Sequence, residues 1–91
     1  MHGEYKTPGG KLVVVDLELE DGHLARVQVS GDFFLEPEEA LEAINGALEG
    51  LPREATEAEI AGRVQAALGP EVVMLGFSPE AVAVAVRKAL A

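Results

Sequence analysis

Residues 11–34 carry a period-two alternation that constrains this chain more than any other feature. Val13, Val15, Leu17 and Leu19 alternate with Val14, Asp16, Glu18 and Glu20, then Ala25, Val27 and Val29 alternate with Arg26, Gln28 and Ser30. Each run has the period of a half-buried strand, and the two together predict a β-hairpin that ends in the aromatic pair Phe33-Phe34. A two-residue Asp21-Gly22 turn is the simplest connection, but it sets Leu17 opposite Arg26 and mixes the two faces, so the pattern rejects that register. The pattern favours a three-residue loop, Glu20-Asp21-Gly22, with Gly22 left-handed at a bulge. That register pairs Val13 with Val29, Val15 with Val27 and Leu17 with Ala25, sets Asp16 against Arg26 on the other face, and leaves Val14 and Leu24 outward.

A lone hairpin is marginal, so the rest of the chain must complete its core. Pro37 suits the first position of a helix, with Glu38 and Glu39 at its positive end. Leu41, Ile44, Leu48 and Leu51 form one stripe with Ala40 and Ala47 beside it, Gly46 suggests close packing, and Gly50 and Pro52 end the helix. Thr56-Glu57-Ala58-Glu59 is a capping box opening a second helix with Ile60, Val64 and Leu68 on one face, stopped by Gly69-Pro70. Ser78 caps a third, with Pro79 at its first position and Arg87 and Lys88 at its negative end. Val82, Ala85, Val86, Ala89 and Leu90 face inward there, and Val84 is left over. Periodicity does not separate a buried strand from an irregular segment over residues 71–76, although an extended piece covering the hairpin fits best. The expectation is an α+β fold, an antiparallel sheet of two to three strands packed against three helices. Residues 1–10, with His2, Gly3, Pro8, Gly9 and Gly10, read as an N-terminal loop, and residues 11–91 as a single α+β domain.

The chemistry-bearing residues are few. There is no cysteine, which excludes disulfides, thiolate zinc sites and cysteine-held iron–sulfur clusters. Ser30, Ser78, His2 and His23 assemble no nucleophilic triad, and the helical glutamates lack the Asp or His partners of a hard-metal or acid–base site. Sixteen acidic against seven basic residues, a net charge of -9, argue against a nucleic-acid partner. Apolar runs are too short to span a bilayer and the N-terminus lacks the apolar core of a signal peptide, so a cytoplasmic location is expected. Lys6 and Lys11 flank the hairpin lead-in, and with Gly9 and Gly10 they could present ammonium groups and backbone N–H groups to an anion. The ordinary alternative is the lead-in loop of an edge strand. Tyr5 covers the end of the sheet. Phe33 and Phe34 point in opposed directions if the chain is still extended, so either both anchor the core or one of them reaches a docking surface.

The order of these features resembles a known family. Gly9-Gly10-Lys11, a hairpin tipped with Glu20-Asp21-Gly22-His23-Leu24, Gly31-Asp32-Phe33-Phe34, a proline-started acidic helix and a second capped helix are similar to the C-terminal accessory domain of lipoate–protein ligases. The resemblance weakens after Gly69. In that family the domain is either fused behind a catalytic domain or made as a separate small subunit, and a chain starting at methionine looks like the separate kind. The resemblance implies a non-catalytic accessory subunit of an ATP-dependent ligase, docking on a separate catalytic domain that activates lipoate to lipoyl-AMP for protein lipoylation. Lipoate and ATP with Mg would be held by that partner, none by this chain alone, and lipoyl-acceptor proteins would be indirect partners. It also implies a contacting loop at Lys6, Gly9, Gly10 and Lys11 and a docking motif at Gly31, Asp32, Phe33 and Phe34. The fold further resembles iron–sulfur scaffold proteins, whose chemistry cannot operate without cysteine. The readings from other classes are a cysteine-free scaffold or interaction domain, homodimeric through the hairpin edge or outer face, and a small carrier of lipoate-like acyl groups.

Overall fold

The alternating segments form β2 (Leu12–Glu20) and β3 (His23–Gly31), paired antiparallel, in a computed structural model that describes residues 1–91. The turn differs from expectation. Glu20 stands opposite His23, and the two turn residues, Asp21 at φ 52° and Gly22 at φ 78°, both adopt the left-handed conformation of a type I′ turn. The register still changes, but inside the strands. Glu18 pairs with Ala25 and Asp16 with Gln28, so Leu17 faces two residues, Arg26 and Val27, and Arg26 takes φ 50°. This bulge lets Leu24, Val27 and Val29 join Val13, Val15 and Leu17 in the core. Leu24 is therefore buried rather than outward. Val15 pairs with Val29, not Val27, and Val13 with Gly31. The Asp16–Arg26 pair is absent: Arg26 meets Glu18 and Glu20, and Asp16 meets His2.

The N-terminal segment is not a loop throughout. His2–Lys6 forms β1, which pairs antiparallel with β2, completing a three-stranded sheet in the order β1-β2-β3. Gly3 makes this possible, because a Cβ there would stand 2.3 Å from the Ala85 carbonyl oxygen and 2.5 Å from the Ala89 nitrogen. The loop proper is residues 7–11.

Beyond the hairpin, β4 (Phe34–Glu36) and β5 (Val73–Leu75) pair antiparallel as a separate two-stranded ribbon. The 71–76 run thus holds a short strand, though it covers β4 rather than the hairpin. Helix α1 (Glu39–Leu48) begins two residues after Pro37, and it buries Ala40, Ile44 and Leu48 while Leu41 is half-buried. Gly46 has open space where a side chain would go, so close packing does not explain it. Helix α2 (Glu57–Ala67) opens with the expected capping box, Thr56 accepting from the Glu59 amide and Glu59 from the Thr56 amide. Helix α3 (Pro79–Leu90) is capped by Ser78, buries the five residues assigned inward, and leaves Val84 half-buried.

The fold is α+β, with α3 packed on β1 and β2, α1 beside β3, and α2 joining the two helices. One contiguous apolar cluster runs from Val13 to Leu90, and no buried residue is polar or charged. Arg87 ties the connection before α2 to α3 by donating from Nη1 to the Arg53 carbonyl at 2.6 Å and the Ala55 carbonyl at 3.3 Å.

Helix α1 also closes the open side of β3. The Asn45 amide oxygen accepts from the Val29 N–H at 2.9 Å, and the Glu49 carboxylate accepts from Arg26 at 3.2 Å and Val27 at 2.5 Å. The Leu51 carbonyl accepts from Leu24 at 2.8 Å. Glu49 is thus more than one of the solvated helical carboxylates, since it holds the two amides that the bulge turns outward.

Candidate functional site

The lysine loop and the Gly-Asp-Phe-Phe segment, 20 residues or more apart in sequence, are brought together by β5. In the loop, Thr7 N–H donates to Lys11 O at 3.0 Å and Gly10 N–H to Thr7 O at 2.8 Å, closing a tight turn with Gly9 at φ 70°. Lys11 N–H donates to Gly76 O at 2.8 Å. These amides are committed within the fold, so they are not free to cradle an anion. Lys6 donates from Nζ to Gly10 O at 2.8 Å and braces the turn. Lys11 remains exposed, its stem against Gly76, where a Cβ would meet Lys11 Cγ at 2.6 Å. Gly10 is matched to the same neighbour, with the Gly76 oxygen 2.6 Å from where its Cβ would be.

Gly31 pairs with Val13, and any Cβ on it would lie 2.1 Å from the Leu12 oxygen. Asp32 is exposed, with its N–H directed at Leu12 O at 3.4 Å. The two phenylalanines separate as opposed neighbours should. Phe33 is half-buried and stacks on Phe77, ring centroids 3.8 Å apart and planes 18° apart, whereas Phe34 is 51% exposed. Phe34 pairs with Leu75, 57% exposed, and Val73, 45% exposed, pairs with Glu36. Leu35 and Met74, paired between them, are the partly buried residues of the ribbon that pack on the core. One face of the ribbon therefore carries three of the four large apolar side chains the chain exposes, the fourth being Met1.

On the α1 side of β4 lies an open cleft of about 580 Å³, with Phe33, Leu35 and Leu41 as its apolar lining and Glu38, Glu39 and Glu42 at its rim. No group of three or more His, Cys, Asp or Glu side chains is arranged to hold a metal ion. The ribbon is an apolar patch with Lys11 at one end and Glu36 at the other, which offers contact area and orientation to a binding partner.

No known family profile matches the chain. No curated protein matches it either. Among solved structures it is similar to a chain from an archaeal lipoylation system of Thermoplasma acidophilum, described as a bi-partite lipoate protein ligase and its E2 lipoyl domain. The identity is 27%, the TM-score 0.66, and the match covers 96% of this chain and 98% of the other. The chain resembles the accessory subunit of a lipoate protein ligase. This similarity runs through α3, further than the motifs up to Gly69 could carry it.

Against that accessory-subunit fold, Val73 and Leu75 are the residues that sequence reasoning left out. Their signal was the run Val72-Val73-Met74-Leu75, whose alternation is too short to assign an outer face without knowing that β4 lies beside it.

At the far side of the sheet, His2 donates from Nδ1 to Asp16 and from Nε2 to Glu4, both at 2.7 Å. Bonding to Glu4 first and Asp16 second raises its pKa above the usual histidine value. This exposed triplet fastens β1 to β2, and no helix of the chain is long and apolar enough to cross a membrane.

Proposed function

We propose that this chain is a non-catalytic accessory subunit that docks on a separate lipoate–protein ligase catalytic domain. It supports ATP-dependent activation of lipoate to lipoyl-AMP there, for transfer to a lysine of a lipoyl-acceptor protein. The observation that carries this reading is the near end-to-end similarity, at 27% identity, to a chain of a bi-partite lipoylation system. The chemistry of the ribbon and loop agrees with it, because their exposed apolar side chains and Lys11 offer binding surface. Lipoate, ATP and magnesium belong to the partner in this scheme, which operates in the cytoplasm.

Docking acts by closing the partner's active site and holding its adenylate-binding loops in their ordered state. The test is lipoate- and ATP-dependent pyrophosphate release by the catalytic protein, with and without this chain in stoichiometric amount. Release that depends on both supports the reading. Equal release by the catalytic protein alone, with no complex formed, refutes it.

A further inference from the structure

We infer that the outer face of the β4–β5 ribbon, centred on Phe34, Val73 and Leu75, is the surface that seats on the ligase catalytic domain. This rests on the accessory-subunit reading and names its contact. These residues are about half exposed, and Met1 is the only other large apolar side chain that the chain exposes to this degree. Phe33, by contrast, spends its ring on Phe77 and is not an anchor.

Charge and area decide the occupant. A second copy would bring another net charge of -9 to the same place. The three side chains, each about half exposed, offer on the order of 300 Å² of apolar area, against roughly 800 Å² per partner for a stable interface. A two-fold dimer through the ribbon is therefore too small and too repulsive. An anionic lipid surface is repelled by the same charge. The fitting partner is a larger protein that adds its own polar rim around this apolar centre, with a carboxylate for Lys11 at the Leu75 end and a cation for Glu36 at the other. The ribbon supplies the desolvated centre of the contact, and the rim sets its orientation.

The experiment compares the full chain with the double variant Phe34→Ser/Leu75→Ser and with Arg63→Ala on α2, which packs on α1 and α3 away from the ribbon. Binding to the lipoate-ligase catalytic domain is measured by titration calorimetry, pyrophosphate release is measured in parallel, and circular dichroism melting checks the fold. The double variant is expected to melt as the parent does and to bind about tenfold or more weakly, with Arg63→Ala unchanged. Unchanged binding by a folded double variant overturns the ribbon assignment and leaves the accessory role standing. Failure of the parent chain itself to bind or stimulate overturns both. Sedimentation that shows a parent dimer abolished by the double substitution overturns it in favour of self-association. Should the double variant melt early, Leu75→Lys alone is used, and unchanged binding by that variant overturns the assignment equally.

Discussion

Removing the Glu49 side chain tests a long-range polar contact that ties β3 to the end of α1. Its carboxylate bridges α1 and β3, receiving the amides of Arg26 and Val27 at 3.2 and 2.5 Å. In Glu49→Ala the Val27 amide, partly buried, loses its acceptor, at a cost of about 1–3 kcal/mol for an unsatisfied buried donor. The Arg26 amide is exposed and water replaces most of its bond, adding a few tenths of a kcal/mol. The total is about 2 kcal/mol, and for a domain of this size each kcal/mol lowers Tm by roughly 4–8 °C, so a fall of about 8–16 °C is expected. Glu49→Gln keeps one oxygen acceptor and should lose about half as much. Urea and thermal unfolding of the three proteins measure this directly. If alanine and glutamine both fall within about 0.5 kcal/mol of the parent, the bulge does not depend on Glu49 and the reasoning fails.

Gly3→Ala should destabilise by about 2 kcal/mol or more, because its methyl group would press on the backbone of α3 at Ala85 and Ala89, and chemical denaturation will read the loss. His2→Ala should destabilise at pH 5.5 and have little effect at pH 8.5. The raised folded pKa means that the His2 contribution is fully present below the unfolded value near 6.5 and is lost as pH rises through the folded value, so unfolding at the two pH values checks the sign. Thr56→Ala removes the α2 cap at about 1 kcal/mol, measurable by urea titration. Lys11→Ala should fold normally and lower ligand affinity or pyrophosphate release in the reconstituted ligase; an unchanged rate and unchanged affinity would exclude a role for Lys11.

The elements that could be read from sequence are those whose causes are local. The α2 capping box and the Ser78-Pro79 start of α3 declare themselves within four residues. The faces of β2 and of Val27 and Val29 were legible because alternation records burial directly, whereas Leu24 and Ala25 take the opposite faces to those it gave; the alternation also called for one register offset. Its position was not legible, because the offset rests on Arg26 at a positive φ, held by the carboxylate of Glu49, 23 residues away and just past the end of α1. Strand β1 was hidden for a related reason. Its glycine looks like loop composition until α3 lies across it, when it becomes the only residue that fits. At the candidate site, the opposed directions of Phe33 and Phe34 followed from strand geometry, but which one enters the core depended on Phe77, and the outer patch depended on β5.

The sealing of β3 by Asn45, Glu49 and Leu51 also governs how this protein can go wrong. A strand edge with free amides invites another chain to extend the sheet, and repetition of that step makes an open-ended fibre. Here the Leu24, Val27 and Val29 donors along that margin are already occupied by Asn45 of α1 and by Glu49 and Leu51 just past its end. Sheet growth from β3 therefore requires α1 to peel away first, so resistance to aggregation on this side is as strong as the hold of one ten-residue helix, and conditions that loosen that helix open the route.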